Sequence, residues 1–389
     1  MKQNSVFPGK RMISLDILKI LAAFMVCFYH LNMLDMGYSP GNLYLPNANR
    51  MLMNLCAMSV PLFFMVNGAL LLRRPHSVSE ILARFVRLCF LYVFWSIVTH
   101  GILSLACEGR FVLNMHVFMM RDTPYTVHLW FLKTAAILTL LTPVLYFLCT
   151  RKSRLPLYVL LLILLIFPFL YNYALLAGRL LNIPACFYLR RTGAGTMYSI
   201  VYFILGKLLA DHVRSKKAAS GRSHFRTTLQ NDAILCPQHV ISRNFIINKI
   251  TARSVQSALL SWVFILYGWI LVTLEGTLWT NIHHAVFDSV NGSFPTIGAL
   301  LMAVGTFLLV SSAQLPRSQM MHRLIAFAGS HIIGTYLLHP IFTHVIRYTL
   351  NTYISAPISM SLTALIMLVS LLITAALRRI PLIRRLLSM

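Results

Sequence analysis

The chain has 389 residues, of which 58% are hydrophobic and only 11% are charged, and its mean hydropathy is +0.73. Soluble domains carry about 25% charged residues, so the composition excludes a soluble globular protein, and its hydrophobicity excludes intrinsic disorder. Lys and Arg number 34 against 9 Asp and Glu, which gives a formal net charge of +25. Such a charge suggests nucleic-acid binding, unless the positions of the Lys and Arg residues along the chain explain it in another way.

Ten stretches are apolar enough to cross the hydrocarbon core of a bilayer, which takes about 20 residues each. They lie near 13–34, 51–72, 88–106, 128–149, 155–176, 196–211, 256–274, 295–313, 325–348 and 359–376. The sequence therefore predicts an all-α polytopic membrane protein with about ten transmembrane helices, forming a single membrane domain over residues 1–389. We expect no signal peptide, because residues 1–12 are polar and basic and no small-residue cleavage site follows them.

Most of the Lys and Arg residues fall in alternate connections between these stretches. Basic clusters at 73–74, 84–87, 151–154 and 378–385 all lie on the same side as the N-terminus if every stretch crosses. Enrichment of Lys and Arg marks the cytoplasmic side, so both termini are predicted to be cytoplasmic. The net charge is then mainly an orientation signal, and we expect a lipid bilayer rather than a nucleic acid as the partner.

Residues 212–254 form the longest polar stretch, which is basic and shows no clear period. We expect a cytoplasmic loop here, a candidate insertion, with a short amphipathic piece near 240–250. The seven cysteines include no CxxC pair and most lie in apolar stretches. We therefore expect neither a disulfide framework nor a metal site.

The first apolar stretch contains three ionisable residues, Asp16, Lys19 and His30. Ionisable groups inside a membrane span indicate function, because burying them there is costly. Lys19 and His30 are separated by about three helical turns, so both project from the same face, about 16 Å apart along the axis. Asp16 precedes Lys19 by one turn and can pair with it. For His30 alone, the alternative is an interfacial histidine at a helix end.

The second stretch is interrupted by Asn67 and Gly68, shortly before the basic pair Arg73 and Arg74. Glycine at such a point permits close approach of another backbone. The arginine pair is a candidate for binding anionic groups at the inner membrane face.

Arg84 and Arg87 lie one helical turn apart at the start of the third stretch. Two arginines on one helix face can hold phosphate oxygens with paired hydrogen bonds. The alternative interpretation is that both residues only anchor the helix at the cytoplasmic surface.

Further candidates lie in later stretches. Trp130 follows a His-Leu pair at the start of the fourth stretch, and Tyr336 and His339 precede Pro340 within the ninth. Proline inside a helix removes a donor and frees a backbone carbonyl. Glu275, one of the few acids, ends the seventh stretch on the predicted outer side.

In this order and spacing, the motifs resemble acyltransferase family 3, the bacterial membrane O-acyltransferases that modify surface carbohydrates. The family signature of a basic residue, ten residues and then His in the first helix corresponds to Lys19 and His30. The other family motifs are Phe-Phe-x-x-Ser-Gly at Phe63–Gly68, Arg-x-x-Arg at Arg84–Arg87, His-Leu-Trp-Phe around Trp130, and Gly-x-x-Ser…Tyr-Leu-x-His-Pro from Gly329 to Pro340. Departures are Lys at 19 in place of Arg, Asn at 67 in place of Ser, and the polar stretch 212–254.

The resemblance implies an O-acyltransferase of the bacterial inner membrane, similar in architecture to the enzymes that O-acetylate enterobacterial common antigen. It implies transfer of an acyl group, foremost acetyl from acetyl-CoA, to a hydroxyl of a cell-surface or lipid-linked glycan. Acetyl-CoA would be a cosubstrate rather than a permanently bound cofactor.

The resemblance, taken with the charge pattern, also suggests roles for the candidate residues. His30 would act as general base. Lys19, Arg84 and Arg87, joined by Arg73 and Arg74, would hold the phosphates of CoA, and Asp16 would neutralise and position Lys19. Asp16 is too far from His30 to orient it, which leaves Glu275 as the candidate acidic partner.

Two other functions remain open from the residues themselves. A secondary transporter or a flippase of a polyprenol-linked glycan would also need about ten helices, with Lys19, His30 and Glu275 forming a substrate or proton path. A membrane scaffold protein is the third alternative, although it would not need ionisable residues inside its spans. Transfer of labelled acetyl from acetyl-CoA distinguishes the enzyme from the other two.

Overall fold

A computed structural model describes residues 11–32, 43–111, 123–170, 173, 177–178, 181, 194–231, 239–284, 287–288, 290, 294–313, 318–350 and 355–387. All regular secondary structure within these residues is helical. This confirms the predicted all-α class.

Twelve α-helices lie within the described residues. They are α1 (Ile13–Asn32), α2 (Ala48–Asn54), α3 (Ser59–Leu71), α4 (Val78–Glu108), α5 (Trp130–Thr150), α6 (Leu155–Leu165), α7 (Ala194–Asn231), α8 (His239–His283), α9 (Ile297–Ser312), α10 (Gln319–Leu350), α11 (Ala356–Leu377) and α12 (Pro381–Leu387). A 3₁₀ turn at Leu55–Met58 joins α2 to α3, another at Val127–Leu129 leads into α5, and a π turn at Ile166–Leu170 extends α6.

Seven helical segments in the described part of the chain are long and apolar enough to cross a membrane. They are Ile13–Asn32, Ala48–Leu71, Val78–Glu108, Val127–Thr150, Gln256–His283, Gln319–Thr349 and Ala356–Leu377. The other three predicted stretches also fall on helices: Leu155–Leu170 and Ile297–Ser312 are apolar but shorter, and the third lies in α7. The protein is thus an all-α polytopic membrane protein, and each predicted stretch falls on a helix over most of its described residues.

The relative direction of α1 and α10 bears on the number of crossings. The start of α1 contacts the start of α10, since Arg11 donates a hydrogen bond to the Ala326 carbonyl. The end of α1 lies beside the later part of α10, with His30 against His339. The two helices therefore run parallel. If only the seven longer segments crossed, α10 would be the sixth crossing and would run antiparallel to α1. If α10 is the ninth of ten crossings, as predicted, it runs parallel to α1.

The sequence predicts a cytoplasmic loop at 212–254, and the described residues of this stretch are helical. Helix α7 continues to Asn231 and α8 begins at His239. Adding a residue to an existing helix costs far less than nucleating one, so two apolar helices can extend into polar sequence. Lys, Arg, Ala and Gln, which are good helix formers, are frequent in the stretch and support the extension. Its cytoplasmic location stays a prediction.

Helices α3 and α7 cross at very short distance through glycine. A Cβ atom added to Gly68 would lie 1.8 Å from the Phe203 carbonyl oxygen, and one added to Gly206 would lie 1.9 Å from the Met65 carbonyl oxygen. Only a residue without a side chain allows the two backbones to approach so closely. The close approach expected at Gly68 is therefore present.

Candidate active site

The predicted cytoplasmic end of α1 contains a buried carboxylate with two cationic partners. Asp16, only 3% exposed, accepts hydrogen bonds from Arg11 Nε at 2.6 Å and from Lys19 Nζ at 3.3 Å. Gly329 on α10 makes room for this carboxylate, because a Cβ there would lie 2.5 Å from Asp16 Oδ1. The pairing that the spacing of Asp16 and Lys19 indicated is present, and it fixes the contact between α1 and α10.

A cavity of about 310 Å³ lies beside this end of the molecule, between α4, α5 and the turn after α3. Arg74, Arg84 and Arg87 line it, with Thr139 and Thr142 on the opposite wall. Arg84 also lies within electrostatic range of Lys19. Three predicted arginines thus line one cavity, with Lys19 nearby, and this concentration of positive charge favours an anionic group.

The first turn of α4 determines where two of these arginines lie. The Ser77 side chain caps the helix by accepting a hydrogen bond from Glu80 N, and Glu80 reaches back to Ser77 N. This capping box fixes the start of α4, and Arg84 and Arg87 follow in the next turns. Glu80 also pairs with Arg74 at 3.3 Å, so the carboxylate ties the turn after α3 to α4.

The opposite end of α1 brings together three histidines from three segments. His30 on α1 lies against His339 on α10, with ring centroids 5.4 Å apart, and the ring of His128 lies 6.1 Å from that of His339. His339 is 1% exposed and His128 is 6% exposed. In the described part of the chain, the Nε2 atoms of His128 and His339 have no hydrogen-bond partner. Buried imidazole nitrogens without partners are suited to proton transfer or to binding a polar ligand.

Pro340 explains the orientation of His339. A proline at this position cannot donate to the carbonyl of residue 336, four positions earlier in α10. His339 Nδ1 donates instead to the Tyr336 carbonyl oxygen at 2.6 Å. The carbonyl expected to be freed by Pro340 is therefore capped by a neighbouring imidazole. The proton on Nδ1 leaves Nε2 of a neutral His339 with a lone pair.

Tyr336 holds His128 in this cluster. Its hydroxyl donates to the His128 carbonyl oxygen at 2.6 Å, and its ring packs against Phe63 and Phe131. Trp130, also predicted as a site residue, packs against Phe64 and Phe294 in the adjoining aromatic layer. The conformation at the start of α5 thus depends on α3 and α10.

The remaining predicted residues lie apart from the histidine cluster. Arg73 is exposed and acts electrostatically on Arg214, while Asn67 is half-buried beside the Gly68 crossing. Glu275 accepts a hydrogen bond from the Tyr173 hydroxyl and bonds to the Thr296 side chain. The carboxylate within electrostatic range of His30 is that of Asp288, which accepts a hydrogen bond from the Tyr29 hydroxyl. The proposed pairing of Glu275 with His30 stays a prediction.

Polar side chains continue from the histidine cluster toward the end of α4. His344 lies within electrostatic range of His30, and its ring is 6.3 Å from that of Tyr125. Tyr125 also lies 5.4 Å from His100 and donates to Glu108 at 2.8 Å. The hydrogen bond to this carboxylate raises the pKa of Tyr125 to about 12. These groups form a polar and aromatic patch next to the histidine cluster.

Sequence reasoning did not assign His128, Asp288 or His344 to the site. His128 precedes Trp130 in a motif that was noted, but its side chain could not be placed without knowing which helix faces α5. His344 follows His339 by five residues, a spacing that does not by itself put both on one helix face. Asp288 lies in a connection, where helical periodicity gives no signal.

The all-helical bundle, with ionisable groups on α1 and α10 inside it, defines a polytopic membrane protein. The family model described as an acyltransferase domain matches residues 12–379. The chain therefore belongs to acyltransferase family 3 and is a multi-pass membrane acyltransferase. Neither the curated proteins nor the solved structures gave a match.

Proposed function

We propose that this protein transfers an acetyl group from acetyl-CoA to a hydroxyl of a cell-surface or lipid-linked glycan. One observation carries the proposal: α1 has the Asp16–Lys19 pair near an arginine-lined cavity at one end and His30 in a cluster of imidazoles at the other. Family membership supports the acyl-transfer chemistry. The choice of acetyl-CoA as donor and of a glycan as acceptor comes from the sequence resemblance and goes beyond family membership.

Acetyl-CoA would bind with its phosphates at the cavity lined by Arg84, Arg87 and Arg74, with Lys19 nearby. Guanidinium groups bind phosphate oxygens through charge-assisted hydrogen bonds, often two at a time. The slender pantetheine arm would then follow α1 toward His30, about 16 Å further along the helix axis.

His30 would act as general base in the transfer. A neutral imidazole takes the proton from the acceptor hydroxyl as its oxygen attacks the thioester carbonyl. The carbon–sulfur bond of the tetrahedral intermediate then breaks, and the proton on His30 passes to the departing CoA thiolate. Protons and electrons balance without any further reagent, and no acyl-enzyme is needed.

The predicted orientation gives this arrangement a purpose. With both termini in the cytoplasm, Lys19 and the arginines face the compartment that contains CoA, and His30 lies toward the outer side of the inner membrane. The donor and a glycan acceptor could then approach the same catalytic centre from opposite sides. Tyr125, His100 and His344 would form the acceptor entrance, since sugar rings pack well on aromatic and imidazole faces.

The test is acetyl transfer in membrane vesicles that contain the protein, using labelled acetyl-CoA and a polyprenol-linked glycan fraction. The proposal predicts label on the glycan and free CoA in equal amounts. A transporter or flippase would move the glycan without consuming acetyl-CoA. Succinyl-CoA offered in competition tests the donor, and mass spectrometry of the product identifies the modified sugar.

A further inference from the structure

General bases that accept a proton are usually oriented by a second group that bonds to the other side of the imidazole. Glu275, the acid expected from the sequence to serve His30, is engaged by Tyr173 and Thr296. Among the described residues, the imidazole of His339 lies beside that of His30.

The distance between the two rings fits a hydrogen bond that forms during catalysis. An N–H···N bond between imidazoles has its nitrogens about 3 Å apart, which places the ring centroids about 5 Å apart. The His30 and His339 centroids are 5.4 Å apart, with an angle of 38° between the rings. A small rotation of the half-buried His30 side chain would complete the bond.

His339 is held in the form that such a bond requires. Its Nδ1 proton is committed to the Tyr336 carbonyl, which Pro340 leaves without a backbone donor. Nε2 of a neutral imidazole is then an acceptor, and it is buried without a partner in the described part of the chain. An unpartnered buried acceptor is costly unless a donor reaches it at some stage.

We propose that His339 is the positioning residue for His30, accepting an N–H hydrogen bond from His30 once His30 carries the proton of the acceptor hydroxyl. The inference rests on the proposed function of His30 as general base. An imidazole acceptor stabilises the transient imidazolium without placing a permanent negative charge in the membrane interior, where an ionised carboxylate would be expensive.

Two substitutions separate this role from packing. His339→Asn keeps an amide donor near the position of Nδ1 but has nothing at the position of Nε2. His339→Gln carries an amide oxygen near the position of Nε2 and can accept from His30. His331→Asn is the matched control, because His331 lies on the same helix and its Nδ1 also bonds to a carbonyl, that of Phe327 at 2.7 Å.

The experiment measures kcat and KM for acetyl-CoA on purified full-length protein in lipid nanodiscs, beside wild type and His30→Ala. The proposed function requires that wild type is active and that His30→Ala is inactive. An inactive wild type or an active His30→Ala variant would overturn that function and this inference with it. Given an active wild type and an inactive His30→Ala variant, His339→Asn is expected to lower kcat by about 10- to 100-fold, within the range of acid–base contributions. KM should stay within about twofold, because the donor site is remote.

His339→Gln is expected to recover part of the lost kcat, and His331→Asn to keep wild-type values. Wild-type kcat in His339→Asn, equal losses in the Asn and Gln variants, or a change confined to KM would each overturn the role of His339. Should His339→Asn fail to accumulate, Pro340→Ala provides the same test. Alanine restores the backbone N–H that proline lacks, and this N–H competes with His339 Nδ1 for the Tyr336 carbonyl. Alanine also favours the helical conformation. A kcat several-fold lower is expected there, and an unchanged kcat contradicts the proposal.

Discussion

Asp16 is the residue on which the inner end of α1 depends. It is buried, it joins Arg11 to Lys19, and Gly329 of α10 packs directly against it. Neutralising this carboxylate leaves the partly buried Lys19 and the half-exposed Arg11 without their partner. Breaking a buried ion pair costs about 3–5 kcal/mol, and partial exposure of Arg11 reduces this to about 2 kcal/mol.

Asp16→Asn is therefore expected to lower the thermal stability of the detergent-solubilised protein, measured by its unfolding temperature. Glu80→Gln is the matched control, since it removes an exposed ion pair with Arg74 while Gln can keep the capping box. Equal unfolding temperatures for the two variants would contradict a structural role for the Asp16 pair.

Tyr336 contributes a side-chain hydrogen bond to the site, from its hydroxyl to the His128 carbonyl oxygen. Tyr336→Phe keeps the ring that packs on Phe63 and Phe131 but leaves the His128 carbonyl without its donor. We expect a loss of about 1–3 kcal/mol of stability, the usual cost of an unsatisfied buried group. We also expect lower kcat, because His128 is held by this bond. Wild-type kcat and stability in this variant would contradict that role.

The sequence could predict part of this site and not the rest. One helix face carries Asp16, Lys19 and His30, so their relative positions follow from helical periodicity alone. That His339 packs on His30 and His128 depends on which helices are neighbours, a matter of tertiary packing without a local signal. The proline at 340 indicated a freed carbonyl, but its capping by His339 required the side-chain geometry.

Helices α3 and α7 depend on glycine at their crossing. Gly68→Ala would place a methyl carbon 1.8 Å from a backbone oxygen of α7, which cannot move without shifting the helix. We expect a loss of at least ~3 kcal/mol, or failure to accumulate, from this overpacking. Gly109→Ala is the control: its φ of 69° disfavours Ala by about 1 kcal/mol, but nothing lies within 4 Å of the added carbon. The amounts of folded protein by size-exclusion chromatography should differ accordingly, and similar yields would contradict the close crossing.

The beginning of α4 is expected to set affinity for the donor. Arg84→Gln and Arg87→Gln should each raise KM for acetyl-CoA about tenfold or more, because a charge-assisted hydrogen bond contributes about 1.5–3 kcal/mol. The exposed Arg379→Gln is the control for net charge. Unchanged KM in both cavity variants would remove these arginines from the donor site.

The positions of the helices could largely be predicted from hydropathy, because long apolar stretches in a membrane must be helical to pair their backbone hydrogen-bonding groups. The secondary structure of the polar stretch 212–254 could not be predicted in this way. Low hydropathy and the lack of a period do not distinguish a loop from a polar continuation of two helices. Helix α7 reaches Asn231, where neither an apolar pattern nor a capping motif marks the end.

The relative direction of α1 and α10 is consistent with ten crossings and not with seven. Helices α1 and α10 run parallel, with Arg11 near Ala326 at one end and His30 near His339 at the other. An even number of crossings puts both termini on the same side, and the distribution of Lys and Arg predicts that this side is cytoplasmic. A fluorescent protein that matures only in the cytoplasm, fused at the C-terminus, should fluoresce, and a periplasmic phosphatase fused there should be inactive. The reverse pattern would contradict the predicted topology.

The central claim is that His30 catalyses acetyl transfer from acetyl-CoA. The most direct measurement is label transfer from acetyl-CoA to glycan in vesicles with equal amounts of wild-type or His30→Ala protein. We expect transfer with wild type and a loss of at least 100-fold with His30→Ala, consistent with removal of a general base. Normal transfer by a well-inserted His30→Ala protein, or none by wild type, would contradict the account.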